Sequence, residues 1–595
     1  MSPEAVTAFL TPDELASWRQ VRRYAVPRWM IEACTERRAA GDWRGACAAA
    51  RFDVDFELPE IAERYGPDVA GALEDDLRHL VPDLVRWHLP RILGGRSTLA
   101  TCLTVVLAGY GAVPEGPGAG AGAPYLYLRT PVMVEGPQRI SLGFGPVRHL
   151  GSAPVFRKEI TDWRVCRHLW DARHTEELRA RAGGTDRLPF FHADGTPLAT
   201  DELPTADPGP DDPVSHAEWV TLLYRRGQVA DALAAAGLAL DPTEPDTQYW
   251  YQKAPEAALG QLALDVPRLE AEVRRFAALY PTDHLEIGGG WRACFLLELA
   301  GPGGDGRPLV RAVPRRSFGV TIRLPEYLTQ RLPDLDLLRA GALTPDELHP
   351  LVTEALFPGR GPVAGPPLPS PPAPVRVRCR GAWHEVAFRD GKLAGPHTEQ
   401  ERQRENALRA FGGTVTGCFM VEHSCTTGTG RLPKALRAQR RDFFLRAQHG
   451  DTAGMLELLD AGVDPRMRDA GRRSLLHVLN LVDHEELLPR LLAAGLDLEA
   501  LDHQGRTPLY VAVSDRGSAE LVKALIDAGA RIDAVDEMEL SLAQRVRMYR
   551  RTDLEFLRER VEREHPGIGA DWWDEWQDEQ DEQQDEDEDG DEDDE

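Results

Sequence analysis

Asp469-Ala-Gly-Arg-Arg-Ser-Leu-Leu-His477 is followed by Asp502-His-Gln-Gly-Arg-Thr-Pro-Leu-Tyr510, and the two leading aspartates are 33 residues apart. Each copy runs through a leucine-rich segment to a glycine, Leu491-Leu-Ala-Ala-Gly495 and Leu525-Ile-Asp-Ala-Gly529. A fixed period of about 33 residues marks a stacked architecture in which one supersecondary unit recurs. An earlier partial copy ends Leu458-Leu-Asp-Ala-Gly462-Val-Asp464, and a degenerate last copy begins at Asp536 with Ser541-Leu-Ala543. One such unit cannot bury its apolar face alone, so stacking must supply the core.

Local chemistry supports helices within each copy. Gly462, Gly495 and Gly529 stand where helices end in a left-handed residue. Thr507-Pro508 suits a helix start, pairing a capping hydroxyl with a preset φ. The ends of a stack need polar covers. Phe443 and Phe444, in a basic segment from Leu432 to Gln448, are expected under the first repeat, and Arg545–Glu564 over the last.

Over residues 440–545 the pattern resembles ankyrin repeats. The residues that carry it are Asp502-His-Gln-Gly505-Arg-Thr507-Pro508-Leu509, then Val511-Ala512, Leu521-Val522, Leu525-Ile526 and Gly529-Ala530. The copy from Asp469 departs at Ser474-Leu475, where Thr-Pro is usual, and keeps His477. The resemblance implies an all-α repeat domain that binds proteins through hairpin tips and a concave helix face. Carried onto this chain, the tips are Arg466, Arg468, Arg472, Arg473, Glu499, His503 and Arg506. The inner helices would present Asn480, Asp483, Ser514 and Asp515, while His477 braces a tip. Four arginines at one tip imply a protein partner with an acidic surface.

Composition sets the remaining bounds. At 595 residues the chain is too long for one core. Of its 69 basic residues only five are lysine, which with the many Ala, Gly and Pro suggests GC-rich coding and a bacterial source. The formal charge of −27 is concentrated at one end: residues 571–595 hold 17 Asp or Glu and no Lys or Arg. The rest has 79 acidic against 69 basic residues, a net charge of −10. No basic footprint for direct nucleic-acid binding is present. The eight cysteines are scattered, which fits reduced thiols in a cytoplasmic protein. Met1-Ser-Pro-Glu does not open a secretion signal. The longest apolar run, Leu99–Val113, is too short to span a bilayer and reads as a strand.

The first half repeats itself on a larger scale. Gly41, Ala46 and Asp55 match Gly227, Ala232 and Asp241 at one offset of 186. Asp76, Leu77, Leu80, Leu84 and Trp87 are echoed by Asp265, Val266, Leu269, Val273 and Phe276, an apolar stripe at helical spacing. Cys102–Gly109 is then set against Cys294–Gly301, and strands at 125–129 and 140–144 against 309–312 and 319–322. This reads as a duplicated α+β unit, residues 12–155 and 214–330, joined by 156–213.

Beyond it, 331–375 is a helical segment ending in a Pro-rich spacer (Pro366-Pro-Leu-Pro-Ser-Pro-Pro-Ala-Pro374). Residues 376–430 read as a β-hairpin and a polar helix, 432–566 as the repeats with capping helices, and 567–595 as a disordered acidic tail headed by Trp572, Trp573 and Trp576. Cys418, His423 and Cys425 are too few and oddly spaced for tetrahedral zinc, so they read as buried thiols and a surface histidine, with no metal or cofactor. Gly116–Gly122 and Gly288-Gly-Gly-Trp291 lack the helix and lysine of a nucleotide loop. No catalytic motif emerges. The chain is expected to be a multidomain, non-enzymatic scaffold or adaptor with no membrane partner. The alternatives are an enzymatic or ligand-binding body targeted by the repeats, and an inhibitor whose acidic tail mimics nucleic acid.

Overall fold

A computed structural model describes residues 10–111, 123–147, 159–244, 254–280, 282–287, 294–299, 306–313, 322–413 and 416–570. Gly116–Gly122, Gly288–Trp291, residues 319–321 and the acidic tail with its three tryptophans lie outside them. Two compact units separate: residues up to Pro131 with Arg139–Pro367, and Val132–Gln138 with Leu368 onward. Among the described residues no helix is long and apolar enough to cross a membrane.

The first unit is α+β, with two sheets. In one, β1 (Phe52–Val54), β2 (Leu103–Gly109), β3 (Pro124–Arg129), β4 (Ile140–Pro146) and β5 (Glu159–Asp162) lie in the order β1-β4-β3-β2-β5. Strands β2, β3 and β4 are antiparallel, and β1 runs parallel to β4. In the other, β6 (Ala239–Leu240), β7 (His284–Ile287), β8 (Cys294–Glu298) and β9 (Leu309–Val313) lie in the order β6-β9-β8-β7. Here too three strands form an antiparallel meander, and the first strand runs parallel to the last.

The two sheets therefore share a wiring, down to single bonds. Asp55 N donates to Leu142 O and Asp241 N to Val310 O, each at 2.9 Å. The wiring sets β7, β8 and β9 against β2, β3 and β4. The expected match of Cys102–Gly109 with Cys294–Gly301 is thus one strand out of place, because Cys294–Glu298 is the second strand of its antiparallel meander and Leu103–Gly109 the first of its own. Apolar strings of similar composition do not encode position in a sheet.

One core runs through this unit. Trp163, Trp170, Phe190 and Phe191 are buried in it, so residues 163–191 contribute to the core rather than merely connecting, while the Pro/Asp-rich stretch 204–213 is largely exposed. Leu335, Leu337, Val352 and Leu356 join the same core from the 331–375 segment. The first helix, Pro12–Tyr24, is bound to that segment by an enclosed ion pair: Arg22 donates to both oxygens of Asp334, at 2.8 and 2.7 Å. Arg22 also donates to Trp87 O at 2.7 Å, and Trp87 Nε1 donates to Asp334 at 3.2 Å. Every polar atom of the pair thus gains a partner that offsets desolvation.

The second unit opens with a meander of β10 (Val375–Cys379), β11 (Ala382–Arg389) and β12 (Lys392–Ala394). Helices Glu399–Ala410 and Cys418–Thr427 follow, then the stack from Lys434 to Glu564. A single core extends from Val375 in the meander to Val561 in the last helix.

Removing one partner of the buried pair strands the other charge. Asp334→Ala is expected to lower unfolding stability by about 3–5 kcal/mol, read by urea denaturation of the full chain followed by tryptophan fluorescence. Replacing both partners, Arg22→Leu with Asp334→Leu, should cost less than the single change.

Candidate partner-binding face

Each repeat is a helical pair. The inner elements are Lys434–His449, the 3-10 segment Leu475–Leu481, Pro508–Ser514 and Leu542–Met548. The outer helices are Thr452–Asp460, His484–Ala493, Ala519–Asp527 and Glu555–Glu564. The first three outer helices end alike, with Gly462, Gly495 and Gly529 at φ of 90°, 78° and 102°. The residue after each glycine donates back to Leu458, Leu491 and Leu525 respectively. A β-carbon in that left-handed conformation would be strained, which is why glycine recurs. Thr507 caps its helix by accepting from Tyr510 N at 3.2 Å, with Pro508 in the first turn.

An aspartate organises each hairpin tip. Asp502 Oδ1 accepts from Gln504 N at 2.8 Å and Arg506 N at 3.0 Å, and Asp536 Oδ1 accepts from Met538 N and Leu540 N. Asp469 accepts from Arg473 N at 2.8 Å. Burial alone would raise the Asp502 carboxyl, but the Arg506 amide and guanidinium outweigh it and hold the group below its ordinary value. Successive tips are stitched together: His503 N donates to Gly471 O at 2.9 Å, Arg468 Nη1 to Leu501 O at 3.2 Å, and Arg531 N to Glu499 at 2.9 Å.

These bonds redistribute the anticipated contact residues. Arg466, Arg473 and Arg506 are ion-paired to Asp464, Asp469 and Asp502, at 2.9, 2.8 and 2.9 Å. Their charge is largely met within the tip. Arg472 is exposed with φ of 62°, and Arg468 is half-buried and spans two tips. Asp483 and His503 are exposed, and Glu499 is half-buried. Asn480, Ser514 and Asp515 are buried, Asn480 Nδ2 donating to Asp515 O at 3.1 Å. The Asn480 bond ties two inner elements together, and the burial of all three side chains keeps them from serving as open contact residues.

The first inner helix carries a stronger feature. Lys434, Arg437 and Arg441 are exposed on one face of the first inner helix, at positions i, i+3 and i+7. With Arg440 they line a groove of about 650 Å³ whose apolar lining includes Phe444, Val478 and Leu481; it reaches the tip at Asp469 and Arg473, where Glu135 adds one carboxylate 3.7 Å from Arg473. Leu436, Phe443 and Ala447 on the opposite face of that helix pack into the stack. Basic residues in this helix were visible in the sequence, but their convergence on one groove depends on the neighbouring 3-10 segment.

Of the three residues weighed for metal binding, Cys425 is a buried thiol pushed up to about 12 by burial, and His423 Nδ1 lies 2.6 Å from Arg409 Nη1. Cys418 differs. It faces neither of them but meets Cys379, His384 and His397, a grouping the sequence reading missed. The available signal was Cys379 and His384 flanking a two-residue turn.

His477 joins two repeats. Its Nδ1 accepts from Ser474 N and Oγ at 3.1 and 2.8 Å, and its Nε2 donates to Arg506 O at 3.1 Å. Burial, against the pull of the Arg506 carbonyl, pushes the imidazole down to about 4. As pH falls below the ordinary value of 6.5, the unfolded chain gains a proton that the folded one refuses. Stability should therefore fall between about pH 6.5 and 4, by about 3 kcal/mol at about 1.4 kcal/mol per unit. Denaturant melts of wild type and His477→Gln across that range should show the slope in the first and its loss in the second.

Residues 443–536 match the family model for ankyrin repeats, in three copies. Among curated proteins, the human transient receptor potential cation channel subfamily A member 1 is 35% identical over 68 residues. That match covers 11% of this chain and 6% of the channel. With capped helical pairs stacked at the same period, the C-terminal part of this protein is an ankyrin repeat region.

Proposed function

We propose that the protein is a scaffold or adaptor whose ankyrin stack docks an acidic segment of a protein partner. The observation that carries this reading is the groove lined by Lys434, Arg437 and Arg441 beside Phe444, Val478 and Leu481. Cations over an apolar floor suit a peptide that alternates carboxylates with large apolar side chains. The exposed tip residues Arg472 and His503 are further candidates for contact, while Arg466, Arg473 and Arg506 contribute mainly to tip geometry. The acidic tail, with 17 carboxylates in residues 571–595, has the charge to compete for this groove until a partner displaces it. The shared wiring of the two sheets supports reading the first unit as two copies of one ancestral α+β unit, carrying a second interaction.

Full-length wild type and a Lys434→Glu, Arg437→Glu, Arg441→Glu variant should both be used for affinity capture, with folding checked by circular dichroism. The variant should bind the captured partner at least about tenfold more weakly, the difference shrinking as salt rises. Deleting residues 578–595 should strengthen binding at low salt. Equal affinity of wild type and triple variant would refute the groove as the docking site; equal affinity after tail deletion would refute only the competition.

A further inference from the structure

The hairpin end of the second unit gathers four side chains with metal-binding chemistry. Strand β10 ends at Cys379, and a two-residue turn of Arg380 and Gly381, with φ of 50° and 86°, returns the chain into β11. In that register His384 lies opposite Val377, on the same face of the ribbon as Cys379. The chain then reaches His397, just before the helix capped by Thr398, and Cys418, the first residue of helix Cys418–Thr427. The four ligand atoms all lie within 4.8 Å of one another.

We propose that Cys379, His384, His397 and Cys418 bind one zinc ion as a closed structural site. His384 Nδ1 is 3.2 Å from His397 Nε2, and each of these nitrogens is 3.6 Å from a sulfur, that of Cys418 and Cys379 respectively. A tetrahedral zinc with bonds of about 2.05 Å to nitrogen and 2.3 Å to sulfur has edges of about 3.3 Å between nitrogens and about 3.6 Å from nitrogen to sulfur. These three separations match edges of that tetrahedron, and the remaining three lie within 4.8 Å. Two thiolates balance the dication, and binding releases the two thiol protons to solvent.

The surroundings are those of a built site. Glu401 Oε2 lies 3.7 Å from His397 Nδ1, leaving Nε2 to face the cluster. Glu401 is itself fixed by accepting from Thr398 N at 2.8 Å, a second layer of the kind that orients metal-bound imidazoles. The Phe419 ring lies 4.4 Å from the His397 ring and walls the site. Gly417 has φ of 63°, and a β-carbon there would come within 2.5 Å of Cys379 Sγ. Only glycine lets the helix start approach the hairpin this closely.

Four protein ligands leave no position for substrate, so the role is structural. The ion would pin the hairpin to both following helices. The second of these reaches the stack, where Cys425 O accepts from Arg468 N at 3.0 Å. Metal binding would thereby steady the first repeat tip.

The full chain, purified without a histidine tag or added metal, should contain about one zinc per molecule by plasma mass spectrometry. After zinc is stripped, titration with cobalt(II) alone should give thiolate charge-transfer absorption and tetrahedral ligand-field bands. Cys379→Ser with Cys418→Ser should abolish both signals, while Cys425→Ser, a buried thiol outside the cluster, should keep them. Because the double variant can unfold the region by itself, the wild-type measurements decide. Less than about a tenth of an equivalent of zinc without a cobalt spectrum, or a Cys379–Cys418 disulfide in the purified chain, would overturn the proposal.

Discussion

The burial of each repeat's paired leucines against the next unit is the constraint on which the second unit depends. Leu458, Leu459, Leu487, Leu488, Leu491, Leu521 and Leu525 are all buried in one core. Each such side chain contributes about 1.5–3 kcal/mol when taken out of water, and none can be buried within its own helical pair. The stack must therefore continue until something with a polar outer face closes it. At one end Lys434–His449 turns Phe443 inward and the same core continues past it into the meander, while Glu555–Glu564 closes the other end through Leu557 and Val561.

Stacking also decides what the tips can offer. A tip that must meet its neighbours every 33 residues needs a fixed backbone, and an aspartate accepting nearby amides supplies it. The same carboxylate attracts the following arginine. The charge that looked available for recognition at Arg466, Arg473 and Arg506 is thus largely spent in holding the tip. In the proposed function, electrostatic recognition therefore falls to Lys434, Arg437 and Arg441, which are exposed along the groove.

What was legible in the sequence depended on how local the cause was. The repeat period, the terminating glycines and the Thr507-Pro508 start act within a few residues, and they are written directly in the chain. The pairing of Asp469 with Arg473 and of Asp502 with Arg506 is equally local, four residues apart, but the turn that closes it is not distinguishable in the sequence from a tip with free arginines. The order of strands in the two sheets was not local: Cys102–Gly109 and Cys294–Gly301 resemble each other as strings but occupy different positions. The cysteine–histidine cluster lies between these cases. Cys379 and His384 are brought together by a tight turn, whereas His397 and Cys418 join them only through the packing of two helices onto the hairpin.

Hydrogen exchange of the full chain, alone and bound to the partner that affinity capture identifies, tests the central claim most directly. The account predicts partner-dependent protection in residues 434–448 and 468–481, with the first unit unchanged at that contact. Protection confined to residues 12–357, with the stack exchanging as in the free chain, would contradict it.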